Sequence, residues 1–171
     1  MSQDTKIALP DAEELLAALI KQMRAQLGPD TGLVGIRTGG VWLAERLHRE
    51  LGLKVPCGTL DVSFYRDDFR GKGLKHQVKP SAIPFDVENR DLVLVDDVLY
   101  TGRTIRAAMN ELFDYGRPAS IGLAALIDRG GRELPIAAQF IGATLTLPPG
   151  QNIELVRSDE GKLSLKLYQD S

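Results

Sequence analysis

One stretch constrains the chain more than any other: LVLVDDVLYTGRTI, residues 92–105. Its first four residues are all Leu and Val. An apolar run without polar alternation reads as a strand covered on both faces, which needs helices on both sides of a sheet. The run meets two adjacent carboxylates, Asp96 and Asp97, then a turn holding Thr101 and Gly102, and from Thr104 the pattern is helical. The strand is expected over residues 92–96 and the helix over 104–115, stopping at Gly116.

The rest of the chain supports the same architecture. Pro10 and Asp11 open a helix, with Asp11 and Glu14 spaced as a capping pair. Leu15, Leu16, Leu19, Ile20, Met23 and Leu27 recur at helical spacing until Gly28-Pro29. Strands are expected at 33–37, 58–65, 120–127 and 140–147, a second helix at 41–51 before Gly52, and a hairpin over 153–168 turning at 158–161. Alternating strands and helices predict an α/β fold with a mostly parallel central sheet flanked by helices and right-handed crossovers. Residues 66–91, rich in Gly, Pro, Lys and Asp, read as a long loop, either disordered or functional. With 171 residues, 43% hydrophobic and 26% charged, the chain is long enough for one domain with a real core. The single cysteine, Cys57, allows no internal disulfide, and no apolar run reaches membrane-spanning length. The opening residues lack a secretory pattern, which fits a cytoplasmic protein. A net charge of -2 means that any RNA binding must use a local basic patch.

Ligands of such sheets bind beyond the carboxyl ends of strands, so the turns after Arg37, Asp97 and Ile127 should share one crevice. Strand alternation points Asp96 and Asp97 to different sides. One can reach a ligand above the sheet, and the other can bond neighbouring backbone or also bend over. Paired carboxylates suit the vicinal hydroxyls of a ribose and an Mg²⁺ ion. The amides of residues 100–104 at a helix N-terminus suit a phosphate. A plain Thr N-cap after a strand, with two surface carboxylates, is the ordinary alternative. No Walker A or Rossmann glycine motif is present.

The segment VLVDDVLYTGRTI resembles the 5-phosphoribosyl-1-diphosphate (PRPP) motif of type I phosphoribosyltransferases. With VGIRTGGVWLAERL, LDVSFYRDD, GRPASIGLAALIDRGGRELPI and FIGATL, the chain is similar over nearly its whole length to the PyrR family of bifunctional pyrimidine operon regulators and uracil phosphoribosyltransferases. The resemblance implies one phosphoribosyltransferase domain over residues 1–171. Its hood would be drawn from about 128–171 plus the N-terminal segment, and its lid loop from about 66–91.

Implied roles follow by position. Val93, Leu94, Val95, Asp96, Asp97, Val98, Leu99, Tyr100, Thr101, Gly102, Arg103, Thr104 and Ile105 would form the PRPP motif. Asp96 and Asp97 would bind the ribose hydroxyls with Mg²⁺ nearby, through water or those hydroxyls, and residues 101–104 would hold the 5′-phosphate. Arg37, Thr38, Gly39 and Gly40 would form the pyrophosphate loop, where family members often carry a non-proline cis peptide. Asp96, Asp97, Arg66 and Thr38 would be the catalytic set. Lys72, Lys75 and Arg103 are further candidate helpers, while His48, His76 and Cys57 read as incidental. Asp128 and Arg129 would belong to the base-covering hood. Purine-salvage relatives usually carry Asp where this chain has Tyr100; that Asp faces N7 of a purine, an atom uracil lacks, so Tyr100 favours uracil.

The implied activity joins uracil and PRPP into UMP and pyrophosphate. The implied regulation is UMP-responsive binding of pyrimidine-operon leader RNA by a homodimer or larger homo-oligomer. Its candidate contacts are Lys6, Lys21, Arg24, Arg132, Arg157, Lys162 and Lys166. Alternatives are a nucleotide-sensing regulator with weak or no catalysis, and a phosphoribosyltransferase for another base. Two positions depart from the family's pattern. Thr38-Gly39-Gly40 replaces Thr-Arg-Gly and loses a cation. Arg129-Gly130-Gly131-Arg132 replaces Arg-Gly-His-Arg and loses an imidazole.

Overall fold

A computed structural model describes residues 7–62 and 81–170. The described chain runs through α1 (Ala12–Gln26), β1 (Gly32–Ile36), α2 (Gly39–Leu51), β2 (Gly58–Leu60), β3 (Asp91–Leu99), α3 (Arg103–Phe113), β4 (Ser120–Asp128), β5 (Phe140–Thr144), β6 (Gln151–Arg157) and β7 (Leu163–Gln169). Five strands form a sheet in the order β2-β1-β3-β4-β5, with every neighbouring pair parallel. β6 and β7 pair antiparallel as a separate ribbon.

The uninterrupted apolar run of β3 is explained by its place at the centre. Val93 and Val95 pack with Leu16, Leu19 and Met23 of α1 and with Leu43 and Leu47 of α2. Leu92 and Leu94 pack on the other face with Ile105, Ala108 and Leu112 of α3. A fully buried Leu or Val side chain contributes roughly 1.5–3 kcal/mol of transfer free energy, so a strand apolar on both faces fits only between two helical layers. Asp11 caps α1 by accepting hydrogen bonds from the amides of Glu13 (2.8 Å) and Glu14 (3.4 Å). Gly52 ends α2 in the left-handed region, φ 63°, with its N–H on the His48 carbonyl. No described helix is long and apolar enough to cross a membrane.

Three expectations need correction. β3 does not stop at Asp96 but continues to Leu99. β1 leaves it after the Gly35–Val95 pair, while β4 keeps pairing Val98 with Ile127 and Leu99 with Asp128. One neighbour is enough to keep the backbone groups of a strand bonded, so the carboxylates sit inside the strand, where its β1 side opens. Second, residues 81–91, expected as part of the long loop over 66–91, pack against the sheet and core. Ala82 bridges Thr59, Val87 is buried in the α3-side core, and Ile83 and Phe85 pack against that core. Third, the range 128–171 divides. Residues 140–144 complete the main sheet as β5, and the β6–β7 hairpin stands apart from it. Arg66, Lys72, Lys75, His76 and Lys6 lie outside the described residues.

Candidate functional site

Beyond the carboxyl ends of β1, β3 and β4 lies a cleft of about 840 Å³. Thr38, Gly39, Asp96, Asp97, Val98, Tyr100, Thr104 and Arg129 line it, so the three turns expected to share one crevice do so. The β6–β7 hairpin supplies the facing wall, with Gln151, Asn152, Ile153 and Tyr168 among its residues.

The strand pleat divides the carboxylates. Asp97 falls on the side of Val93 and Val95 and meets the start of α2; Asp96 falls on the side of Leu92 and Leu94. Both are buried, at 4% and 8% exposure for Asp96 and Asp97, and both still reach the cleft. Asp96 Oδ1 accepts from the Asp97 amide and Asp97 Oδ1 accepts from the Val98 amide, each at 2.9 Å. These bonds hold the negative charges in place where little water can solvate them.

The turn after Arg37 is tied to the same carboxylates. The Arg37–Thr38 peptide is cis. The two glycines that follow begin α2, and neither position has room for a side chain. A Cβ on Gly40 would lie 2.3 Å from the Val95 carbonyl oxygen, and one on Gly39 would lie 2.5 Å from Asp97 Oδ2. The N-terminus of α2 therefore rests on the β3 backbone, and glycine at 39 is fitted to the Asp97 carboxylate. A larger residue there would require the Asp97 carboxylate to shift.

Gly102, φ 96°, leads into α3, and Thr101 Oγ1 accepts from the Arg103 amide at 3.2 Å. Thr104, on the first turn of α3, faces the cleft. Arg103 is turned to Glu133, 3.2 Å away, and both side chains are about half exposed. Val93, Leu94, Val95, Leu99 and Ile105 place their side chains in the core, so their contribution to the cleft is to position its backbone.

The hood residues take unequal parts. Arg129 lies over the Tyr100 ring, 4.0 Å from its centroid, and donates to Asn152 Oδ1 (2.7 Å) and the Gln151 carbonyl (3.2 Å). Asp128 instead accepts from Arg132 at 2.6 Å and from the Gly130 amide at 2.9 Å. Burial pushes its carboxyl up, but the Arg132 guanidinium and the Gly130 N–H outweigh that and hold it below the ordinary aspartate value. Arg132 also donates to the Ile136 and Tyr100 carbonyls, so its guanidinium is engaged inside the protein. Arg157 lies over Trp42 at 4.8 Å, and Arg24 donates to the Glu50 carbonyl. His48 contacts the Val55 carbonyl and Cys57 the Ala44 carbonyl, both as internal contacts. Sequence reasoning missed Trp42, Gln151, Asn152 and Tyr168 because they reach the cleft only through tertiary packing.

Among the described residues there is no cluster of three or more His, Cys, Asp or Glu side chains that could cage a metal. A buried carboxylate pair in an open cleft fits Mg²⁺ differently. That ion takes one or two carboxylates and fills its remaining octahedral positions with water and substrate oxygens.

A family model described as phosphoribosyl transferase domain matches residues 3–146. The bifunctional protein PyrR of Pseudomonas aeruginosa is 55% identical over 155 residues, covering 88% of this chain and 91% of that protein. The bifunctional protein PyrR of Pseudomonas fluorescens is 52% identical over 165 residues, covering 94% and 97%. Among solved structures, a hypoxanthine phosphoribosyltransferase from Staphylococcus aureus superposes with a TM-score of 0.64 at 23% identity, covering 84% of this chain and 79% of that one. That of Trypanosoma cruzi gives 0.63 at 20%, covering 86% and 82%; at such identities the likeness is one of fold. The carboxylate pair, the glycine-led turn and the parallel sheet beneath them thus sit in a chain that belongs to the phosphoribosyl transferase domain family and, within it, to the bifunctional PyrR proteins.

Proposed function

We propose that this chain transfers the phosphoribosyl group of PRPP to N1 of uracil, giving UMP and pyrophosphate. The observation that carries this reading is the joint lining of one cleft by Asp96, Asp97, Thr104 and Tyr100. Asp96 and Asp97 would receive the ribose hydroxyls, and the turn over 101–104 the 5′-phosphate. Thr38 and Gly39 would face the pyrophosphate, and the wall from Arg129 and the β6–β7 hairpin would cover the base. The C1′–oxygen bond to pyrophosphate breaks, the C1′–N1 bond forms, and the N1 proton is lost. Mg²⁺, when bound, neutralises charge developing on the leaving group. The chain's own contribution is to hold donor and acceptor in line and keep the reacting centre in a fixed polar frame.

Uracil is preferred over purines because Tyr100 stands where purine enzymes of the wider superfamily usually carry a carboxylate for N7. The test is incubation with PRPP, Mg²⁺ and, in turn, uracil, hypoxanthine, guanine and orotate. UMP from uracil alone is expected; a purine nucleotide in its place would overturn the base assignment, and no product from any base would overturn the enzymatic reading. Thr104→Ala should weaken UMP and PRPP binding in a folded protein, and Asp97→Asn should impair turnover.

A second role, UMP-responsive binding of pyrimidine-operon leader RNA by a homo-oligomer, follows from membership among the bifunctional PyrR proteins. Lys6, Lys21, Arg24, Arg132, Arg157, Lys162 and Lys166 are its candidate contacts. Titration of a leader transcript with and without UMP tests it, and binding should weaken steeply with salt. A regulator with weak catalysis is favoured by one observation, the missing cation at Gly39. UMP-dependent RNA binding in a protein with little or no uracil turnover would decide for it.

A further inference from the structure

Three successive carbonyls leading into the phosphate turn, those of Leu99, Tyr100 and Thr101, face the same segment. Leu99 O accepts from the Arg129 amide at 3.1 Å. Tyr100 O accepts from Arg132 Nη1 at 2.6 Å. Thr101 O accepts from the amides of Glu133 at 2.9 Å and Leu134 at 3.1 Å. A trans peptide holds its N–H opposite its C=O. Fixing the Tyr100 and Thr101 carbonyls toward residues 129–134 therefore turns the Thr101 and Gly102 amides away from that segment. Three of these donors are backbone amides. Arg132 is a side chain.

Its guanidinium has a fixed planar fork, and each arm has a different target. Nη1 reaches the Tyr100 carbonyl, Nη2 reaches Asp128 Oδ2 at 2.6 Å, and Nε reaches the Ile136 carbonyl at 2.8 Å. One side chain thus joins the end of β4, the phosphate turn and the chain leading to β5. It is about three-quarters buried, at 24% exposure, and Asp128 opposite it is at 14%. Charge-assisted bonds with this geometry are about twice as strong as neutral ones, and a rigid fork loses little freedom in forming them.

We infer that Arg132 is a positioning residue that holds the turn over 100–102 in its phosphate-binding conformation by clamping the Tyr100 carbonyl between the hood segment and the end of β4. It lies outside the residues that line the cleft. This rests on the reading of residues 101–104 as the 5′-phosphate site.

The experiment measures calorimetric dissociation constants of UMP and of uridine for the full chain, in the wild type, Arg132→Gln and Arg132→Lys. The ratio of the two constants isolates what the phosphate adds. A general loosening of the fold weakens both ligands alike and leaves the ratio unchanged; a misaligned phosphate turn weakens UMP alone. Arg132→Gln should reduce the UMP preference by roughly tenfold, the order of one lost charge-assisted bond. Arg132→Lys should recover part of it, because an ammonium can serve one or two of the three acceptors and not the whole fork. A wild-type ratio in Arg132→Gln overturns the inference. If Arg132→Gln does not fold, the same comparison on Arg132→Lys decides, with a reduced ratio supporting it and an unchanged ratio overturning it. A wild type that binds UMP and uridine equally would instead overturn the phosphate-site reading itself, and the inference with it.

Discussion

The guanidinium of Arg129 lies 4.0 Å above the centroid of the Tyr100 ring, so a cation from the end of β4 covers the aromatic side chain that follows β3. Arg129 is held there from behind by Asn152 and the Gln151 carbonyl. Stacking of this kind contributes about 0.5–2 kcal/mol, depending on desolvation. The pair forms a shelf on the wall of the cleft. Tyr100→Phe keeps the ring and should leave kcat/KM for uracil near the wild-type value. Tyr100→Ala should lower it by roughly tenfold, the equivalent of about 1.4 kcal/mol. Full activity in Tyr100→Ala would remove the ring from the site.

Gly131 presses against the same ring. Its φ is 74°, and a Cβ there would lie 2.4 Å from Tyr100 Cε2. Gly131→Ala meets both a left-handed backbone and an aromatic ring, and should destabilise the fold by about 1–3 kcal/mol in urea unfolding. The steric part should be relieved in the Tyr100→Ala background, where a smaller loss is expected. Equal losses in both backgrounds would mean that the ring is not what Gly131 accommodates. A histidine at this position would need a different Tyr100 placement from the one seen here.

Glu13 ties three elements together. It pairs with Arg46 of α2 at 2.7 Å and accepts from the Leu163 amide of β7 at 2.9 Å. The Arg46 hydrogen bond, opposed by burial and helped by the Leu163 amide, keeps its carboxyl below the ordinary glutamate value. A lowered folded pKa stabilises most above the unfolded value, and the contribution fades as pH falls through the folded one. Glu13→Gln should therefore cost about 0.5–1 kcal/mol at neutral pH, a modest figure because the pair is partly exposed. The difference between the two proteins should shrink below about pH 4. Urea titrations at neutral and acid pH check it, and a difference that grows on acidification would contradict it.

Burial, with the nearby Glu45 charge adding to it, pushes the Cys57 thiol up to about 11. At pH 8 the thiolate is then a small fraction, and thiolate is the reactive form. Native protein should react slowly with a disulfide-exchange reagent and quickly once unfolded in urea. Equal rates would show that the thiol is open in the native fold. Cys57→Ser should leave turnover unchanged, since the side chain lies outside the cleft.

The chain's local pattern determined a good deal on its own. An apolar run on both faces of residues 92–95 needs helices on both sides, and the alternation of elements makes the sheet parallel. The residue types from Asp96 to Thr104 suit a ribose and a phosphate, but they also suit a plain Thr N-cap with two carboxylates, and the resemblance to the PRPP motif supplied the choice between them. Tertiary structure decided what depends on distant neighbours. Asp96 and Asp97 lie inside a strand because β4 outlasts β1, and a single segment cannot reveal how long its partners run. Arg132 reads in sequence as one more surface cation. It becomes a clamp only when the Tyr100 carbonyl, 32 residues earlier in the chain, is folded against it. Gln151, Asn152 and Tyr168 reach the cleft because the β6–β7 hairpin folds over the sheet, a placement set by packing and not by any motif they carry.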